Sequence, residues 1–172
     1  MESQTDNYTE QIVSAKPTVI QYLLFVGTIL LDVVGVFATL VAAGFGFILL
    51  CAAGFLTYLA SRAMKYEYEY IFTNGECEVA KIINKESRKN IYEFSANDVQ
   101  RVLRFKSDKF QNEMQVNRQL SVKKFVSNIV EKQDNWYAFL TKQEDKTVAV
   151  VLELSDDNAE QIKNYYKHKT EF

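Results

Sequence analysis

One acid, Asp32, interrupts an apolar run that otherwise carries no charge from Pro17 to Ser61. A carboxyl group at membrane depth costs about 2.5–3.5 kcal/mol on insertion scales, so an intramembrane acid is a functional hypothesis by default. Three roles fit its chemistry: lining an oligomeric pore, relaying protons, or hydrogen-bonding a partner helix. The alternative is a protonated or interface-reaching side chain, tolerated because its surroundings are so apolar. A second candidate group is basic. Lys81, Lys85, Arg88 and Lys89 surround one turn, and near a cytoplasmic leaflet each such charge gains about 1 kcal/mol from anionic lipid. Glu86 and Glu93 dilute that charge, so a solvated turn is the competing reading. Tyr66, Tyr68, Tyr70, Trp136 and Tyr137 contain the ring types of an aromatic cage, but at strand spacing they read as core or as an interfacial belt. Glu67, Glu69, Glu76 and Glu78 share the opposite face of the 66–83 segment, as expected of a wet strand face that discourages edge pairing.

Residue types point away from catalysis. The one histidine, His168, stands close to the last residue, Phe172, and no His-Cys or His-carboxylate set with metal-ligand spacing occurs. Glycine-rich phosphate loops and nucleophile elbows are absent from the sequence. Cys51 falls inside the apolar run and Cys77 in a strand pattern, so both read as unpaired, unreactive thiols. No enzyme activity, cofactor, metal or small-molecule ligand is therefore expected. The 20 Lys and Arg against 22 Asp and Glu give a formal net charge of −2, which argues against a nucleic-acid domain.

The stretch TVIQYLLFVGTILLDVVGVFATLVAAGFGFILLCAAGFLTYLA, Thr18 to Ala60, is about twice the ~20 residues that one helical crossing needs. It predicts two membrane spans, at 18–40 and 45–61, with Gly44 and Gly46 permitting the turn between them. Gly27, Gly35, Gly44 and Gly54, with Ala38, Ala42 and Ala53, offer small surfaces for helix contact. A buried soluble hairpin would need a larger shell than the remaining sequence supplies, and the run is too long for a cleaved signal peptide. Lys16 precedes the run, Arg62 and Lys65 follow it, and no charge lies in the turn. These flanks predict that both ends face the cytoplasm, in a multi-pass cell-membrane protein. Residues 1–17 are read as a polar cytosolic segment in which Tyr8 to Val13 form a turn of interfacial helix, capped by Asp6.

Beyond the spans, YEYEYIFTNGECEVAKII (66–83) alternates around Asn74-Gly75, the signature of a hairpin with a type I′ turn. Lys85-Glu86-Ser87 reads as a turn, Arg88 to Ser95 as a third strand and Val99 to Phe105 as a fourth. Ser95 to Asp98 resembles a capping box with Asp in place of Glu or Gln. Residues 106–120 are ambiguous, with a short helix over Asp108 to Gln115. Ser121 to Asn128 reads as a strand, and 135–142 with 147–155 as a second hairpin across the turn Gln143 to Lys146. Ser155 should cap a final helix with Asp156 and Asp157 in its first turn and Lys167 and Lys169 in its last. Ala159, Ile162, Tyr165 and Tyr166 form its apolar stripe. Six or seven mostly antiparallel strands closed by a C-terminal helix form a pleckstrin-homology-like (PH-like) pattern. The expected class is an α+β membrane protein: a segment at 1–17, a two-helix transmembrane hairpin at 18–61 and a cytosolic PH-like domain at 62–172.

YTEQIVSAKPT (8–18) before the first span and YEYEYIFTNGE (66–76) after the second, followed by KIINKESRK (81–89), together resemble an uncharacterised family of small bacterial proteins. Members have two membrane passes and a cytosolic β-rich domain. The resemblance implies this architecture and no reaction; the PH-like label comes from the strand pattern.

The residues thus point to a membrane-anchored, non-enzymatic interaction module that binds a protein partner or another copy of itself. One alternative is a small oligomeric transport or channel-accessory subunit built around Asp32, in which Asp32→Asn would alter ion flux in reconstituted vesicles. Another is anionic-lipid sensing through the basic turn. For that reading, Lys85→Glu combined with Arg88→Glu should weaken binding to anionic liposomes in a salt-dependent way, and binding indifferent to charge would dismiss it.

Overall fold

The computed structural model describes residues 8–143 and 146–172. They form two compact units: Lys16–Tyr66 with Ile83–Ser87, and the described part of Met1–Ala15 with Glu67–Ile82 and Arg88–Phe172.

The first unit is a pair of helices. Helix α1 spans Val19–Val41 and α2 spans Ala43–Ala63, with Ala42 alone between them. Thr18 opens α1 with a capping box: its hydroxyl accepts from Gln21 N, and the Gln21 side chain accepts from Thr18 N at 2.8 Å. The turn is tighter than the predicted break, and the reason is Gly46. A Cβ there would stand 2.1 Å from Thr39 N, so only glycine lets α2 begin directly against α1. Gly35 performs the same service along the pair, where a Cβ would lie 3.0 Å from Leu50 Cα. Gly27 and Gly44 have open space instead, with nothing within 4 Å, so the expected small-residue surface is narrower than the glycine count suggested. The hydroxyls of Thr28 and Thr39 donate back to Phe25 O at 2.7 Å and Gly35 O at 2.8 Å, which keeps both polar groups inside their own helix. At the far end Arg62 pairs with Glu86, and Asn84 N donates to Lys65 O at 2.7 Å.

The second unit holds two four-stranded sheets. Strands β1 (Tyr8–Ala15), β2 (Tyr66–Thr73), β3 (Glu76–Ile83) and β4 (Ser87–Ser95) lie in that order in one sheet. The other is ordered β5 (Val99–Arg104), β7 (Trp136–Gln143), β8 (Lys146–Glu153), β6 (Ser121–Phe125). Helix α3 (Asp108–Val116) and a 3₁₀ turn (Val130–Asn135) join β5 to β6 and β6 to β7, and α4 (Asp156–Tyr165) follows β8. Asn74 and Gly75 have φ of 50° and 90°, the paired positive values of the predicted type I′ turn. Inward side chains of both sheets (Tyr70, Phe72, Val79, Phe94, Phe139 and Val150 among them) join Ala159 and Ile162 of α4, and Tyr166 just after it, in one core.

Several expectations change here. Tyr8 to Val13 are part of strand β1, because the segment alternates: Val13 is buried in the core, while Tyr8 and Ile12 are exposed. Strand β6 runs parallel to β8, which is possible because the 3₁₀ turn and β7 carry the chain back. Ser95 to Asp98 cap no helix. The Asp98 carboxylate accepts from Ser95 N at 2.8 Å and Ser95 Oγ at 2.9 Å, fastening the crossover from one sheet to the other. Ser155 does cap α4, accepting from Asn158 N, with Asp156 and Asp157 in the first turn. The helix ends earlier than predicted, with Lys163 in its last turn, and the Lys169 amine donates to Ala96 O at 2.8 Å. Of the expected stripe, Ala159, Ile162 and Tyr166 are buried and Tyr165 stays 39% exposed. Of the predicted Gln143 to Lys146 turn, 144 and 145 lie outside the described residues, as does Asp6.

Glycine is obligatory at position 75. Its φ is positive, and a Cβ would stand 2.7 Å from the Tyr165 ring and 3.0 Å from Ala96 Cβ. Gly75→Ala should lower unfolding stability by about 1–3 kcal/mol, read as a reduced midpoint in chemical denaturation.

Candidate functional site

Asp32 lies on the α1 face that meets α2. Its Oδ2 accepts from Thr57 Oγ1 at 2.8 Å, while its Oδ1 is buried without a hydrogen-bond partner. Gly54 stands opposite, where a Cβ would be 4.0 Å from Oδ1. That separation is an ordinary van der Waals contact, so the carboxyl group lies inward between the helices without needing a glycine there. Its hydrogen bond with Thr57 ties α1 to α2.

The basic set divides between the two units. Lys85 sits in the Ile83–Ser87 turn with a φ of 59°, next to Asn84 at 53°, and its neighbour Glu86 is the partner of Arg62. Lys81, Arg88 and Lys89 belong to the β unit. Arg88 is committed there: its Nε donates to Glu69, and its Nη2 lies 4.0 Å from Glu78. To reach β2 from β4 the side chain must cross β3, where Ala80 is small and completely buried. The bond to Glu69 raises the Arg88 guanidinium above its usual value, so it stays charged. Among the four glutamates expected to be wet, Glu69 is thus buried at 8% exposure, because a guanidinium lies on it. Of the flanking charges, Lys16 O accepts from Tyr66 OH at 3.4 Å and Arg62 stacks 5.7 Å from the Tyr58 ring.

The aromatic residues are core. Tyr66, Tyr70, Trp136 and Tyr137 are buried, Tyr68 packs edge-on against Phe125 at 5.7 Å, and the Tyr70 hydroxyl donates to Phe125 O. Burial pushes the Tyr70 and Tyr166 hydroxyls and the Cys77 thiol up from their ordinary values, which keeps all three neutral. Among the described residues, no three His, Cys, Asp or Glu side chains gather as a metal set.

A cleft of about 230 Å³ lies between the Asn74-Gly75 turn and α4, lined by Thr9, Phe72, Gln161, Ile162, Asn164, Tyr165 and Tyr166. It is lined by rings, amides and hydroxyls and by no charged side chain. Thr9 donates to Gln161, and Tyr166 OH donates to Gly75 O at 3.2 Å, so much of its polarity is already satisfied internally. Over residues 5–172 the chain matches the sequence profile of a family described as Bacterial PH-like domain (DUF6106). The chain belongs to this family. The likeness carried by YTEQIVSAKPT and YEYEYIFTNGE is therefore one of real kinship, and the strand pattern named the right class of domain. No curated protein and no solved structure matches the chain.

Sequence reasoning missed two devices of this PH-like domain. Gln11 on β1 binds the start of α4: its Nε2 donates to Glu153 O at 2.9 Å, and its Oε1 accepts from Ser155 N at 3.0 Å and Asn158 Nδ2 at 2.7 Å. The alternation in YTEQIVSA was the available signal. The segment after α4 also pairs with β5, through Val102 N to Lys169 O at 2.7 Å and Glu171 N to Val102 O at 3.0 Å; nothing in its composition marks it as a strand.

Hydrogen bonds from Ser95 N and Oγ hold the Asp98 carboxyl below its usual value. A depressed folded-state value contributes stability above the unfolded value, near 3.9, and that stability is lost as pH falls through the folded one. Asp98→Asn should therefore be less stable than the natural protein at neutral pH by about 1 kcal/mol. Denaturation midpoints measured down the pH scale should converge below about pH 4.

Proposed function

We propose that the chain is a membrane-anchored, non-enzymatic interaction module, in which two spans tether a PH-like domain at the inner leaflet. The supporting observation is the uncovered apolar surface of α1 and α2. Both are long and apolar enough to cross a membrane, and only 6% and 11% of their most apolar stretches is buried. A core helix of a soluble protein would be mostly buried; here Leu23, Leu30, Phe37, Phe45 and Phe55 are all more than 60% exposed. Such a surface requires lipid or an equivalent apolar cover. A cleaved leader fits poorly as well, since β1 precedes α1 and pairs with β2 beyond α2.

That pairing supports a sidedness argument independent of charge. Neighbouring strands lie about 4.8 Å apart, so β1 and β2 must occupy one compartment and the helices between them must cross an even number of times. Lys16, Arg62 and Lys65 favour the cytoplasm for that compartment. The interaction role is supported by a compact PH-like domain among whose described residues no three His, Cys, Asp or Glu side chains gather as a metal set. Asp32, turned inward onto Thr57, serves the anchor in this reading.

Single-cysteine variants Ser14→Cys and Ser87→Cys, made in a background lacking both Cys51 and Cys77, should both be labelled by a membrane-impermeant maleimide only after the cells are opened. The protein should also stay in the membrane pellet through alkaline carbonate washing. Labelling from opposite sides, or release by carbonate, would sink the anchor. Crosslinking in native membranes should trap a partner or a second copy; monomer alone would end the interaction reading.

A further inference from the structure

The cleft between the Asn74-Gly75 turn and α4 is walled by β1, β2 and α4 together. Phe72, Ile162 and Tyr166, all buried members of the main core, supply its apolar lining. Tyr165, the exposed member of the predicted stripe, stands at its rim. The Tyr165 ring lies directly on the hairpin turn, since a Cβ at Gly75 would be 2.7 Å from Cε1, and it is 5.7 Å from the Tyr166 ring. The volume of about 230 Å³ is below the roughly 300–1,000 Å³ of sites for drug-sized ligands. It limits a guest to a single ring with a short substituent.

Charge is sorted across α4 and the turn that follows it. Asp156, Glu160, Lys163 and Lys167 recur at helical spacing and line a different cleft, on the other flank, beside Arg104. None of them lines the cleft beside Gly75. A charged guest would find no counter-ion there, and burying an unpaired charge is strongly unfavourable. The polar groups of the cleft are only partly committed. Gln161 Oε1 accepts from Thr9, and Tyr166 OH donates to Gly75 O at 3.2 Å. Gln161 Nε2, the Asn164 amide and the Tyr165 hydroxyl make no hydrogen bond to another described residue. Each of these three can donate to a guest.

We infer that this cleft is a binding site for a small uncharged molecule that joins one flat apolar ring to a carbonyl or amide oxygen. The ring packs against Tyr165 and Tyr166, with Phe72 and Ile162 beneath it. The oxygen accepts from Gln161 Nε2 or the Asn164 amide at the rim. Carboxylates, phosphate esters and ammonium compounds are turned away, because no side chain in the cleft neutralises them. The guest touches β1, the hairpin turn and α4 at once, so it adds to the junction that Thr9 and Gln11 already make with α4. Such a site departs from the expectation, drawn from residue types, of no small-molecule ligand. It goes beyond the interaction reading and does not depend on it.

Saturation-transfer NMR on the full chain in nanodiscs, with the signal from empty nanodiscs subtracted, tests this with benzamide as the probe. Benzoate and benzylammonium, which share its ring but carry a charge, are the comparison. Benzamide should receive saturation and should shift the backbone amides of 161–166. The two ions should bind at least about tenfold more weakly. Tyr165→Ala should weaken benzamide binding about tenfold, and Asn164→Ala about threefold. The Asn164 side chain has no hydrogen bond to lose within the described protein, so its variant keeps the fold and reads the site alone. No transfer to benzamide, equal binding of the three probes, or binding that both variants leave unchanged would each overturn the proposal. These failures leave carbonate resistance and crosslinking as they were, so they are separate from failure of the anchor or of the interaction reading.

Discussion

The hydrogen-bonded pairing of β1 with β2 is the constraint on which the rest of this protein depends. The two strands are neighbours in one sheet, yet α1 and α2 lie between them in the chain. A flexible insertion of that length would cost the pairing about 3–4 kcal/mol of closure entropy. A tightly closed helical pair removes most of that cost by returning the chain to its point of departure. This is why the close approach at Gly46 and Gly35, and the bond from Thr57 to Asp32, matter to strands that lie outside the helices. The β domain is completed only when both flanks of the pair are in place. Val13 then enters the core and Gln11 reaches the first turn of α4.

The two sheets solve the burial problem differently. The β1-β2-β3-β4 sheet has one apolar face and one polar face, and its polar face is organised by Arg88 reaching over Ala80 to Glu69. The other sheet is apolar on both sides at β7 and β8. Tyr137, Phe139, Val148 and Val150 face the main core, and Trp136, Ala138, Leu140, Ala149 and Val151 face away from it. Strands buried on both faces read as unbroken apolar runs, which is how NWYAFLTK and TVAVVLELS appear. Such a sheet requires a cover on its second face, and α3 with its neighbouring loops provides it.

Legibility followed the strength of local patterning. The two apolar helices, the Asn-Gly hairpin, the β7–β8 pair and the Ser155 cap each rest on a signal contained within a few residues, and all were readable. Strand β1 was not, because eight residues of mixed polarity carry a weak alternation that means little until β2 stands beside it. The role of Ser95 and Asp98 was misread for a related reason: the same side-chain chemistry serves a helix start and a sheet crossover. The basic turn looked like one patch by sequence distance, but Arg88 is spent on Glu69 and Glu78, an ion network that no spacing rule contains.

By itself the sequence determined the two long apolar helices, the type I′ turn at Asn74-Gly75, the strand periodicities and the capping of α4. Each of these follows from hydropathy, backbone preference or side-chain reach over a single turn or strand. Only the tertiary structure decided that β1 joins the sheet, that β6 runs parallel to β8, that Asp32 faces Thr57, and that Glu171 reaches Lys109 from the far end of the chain. These are contacts between residues far apart in sequence, whose partners become defined only once the core has brought them together.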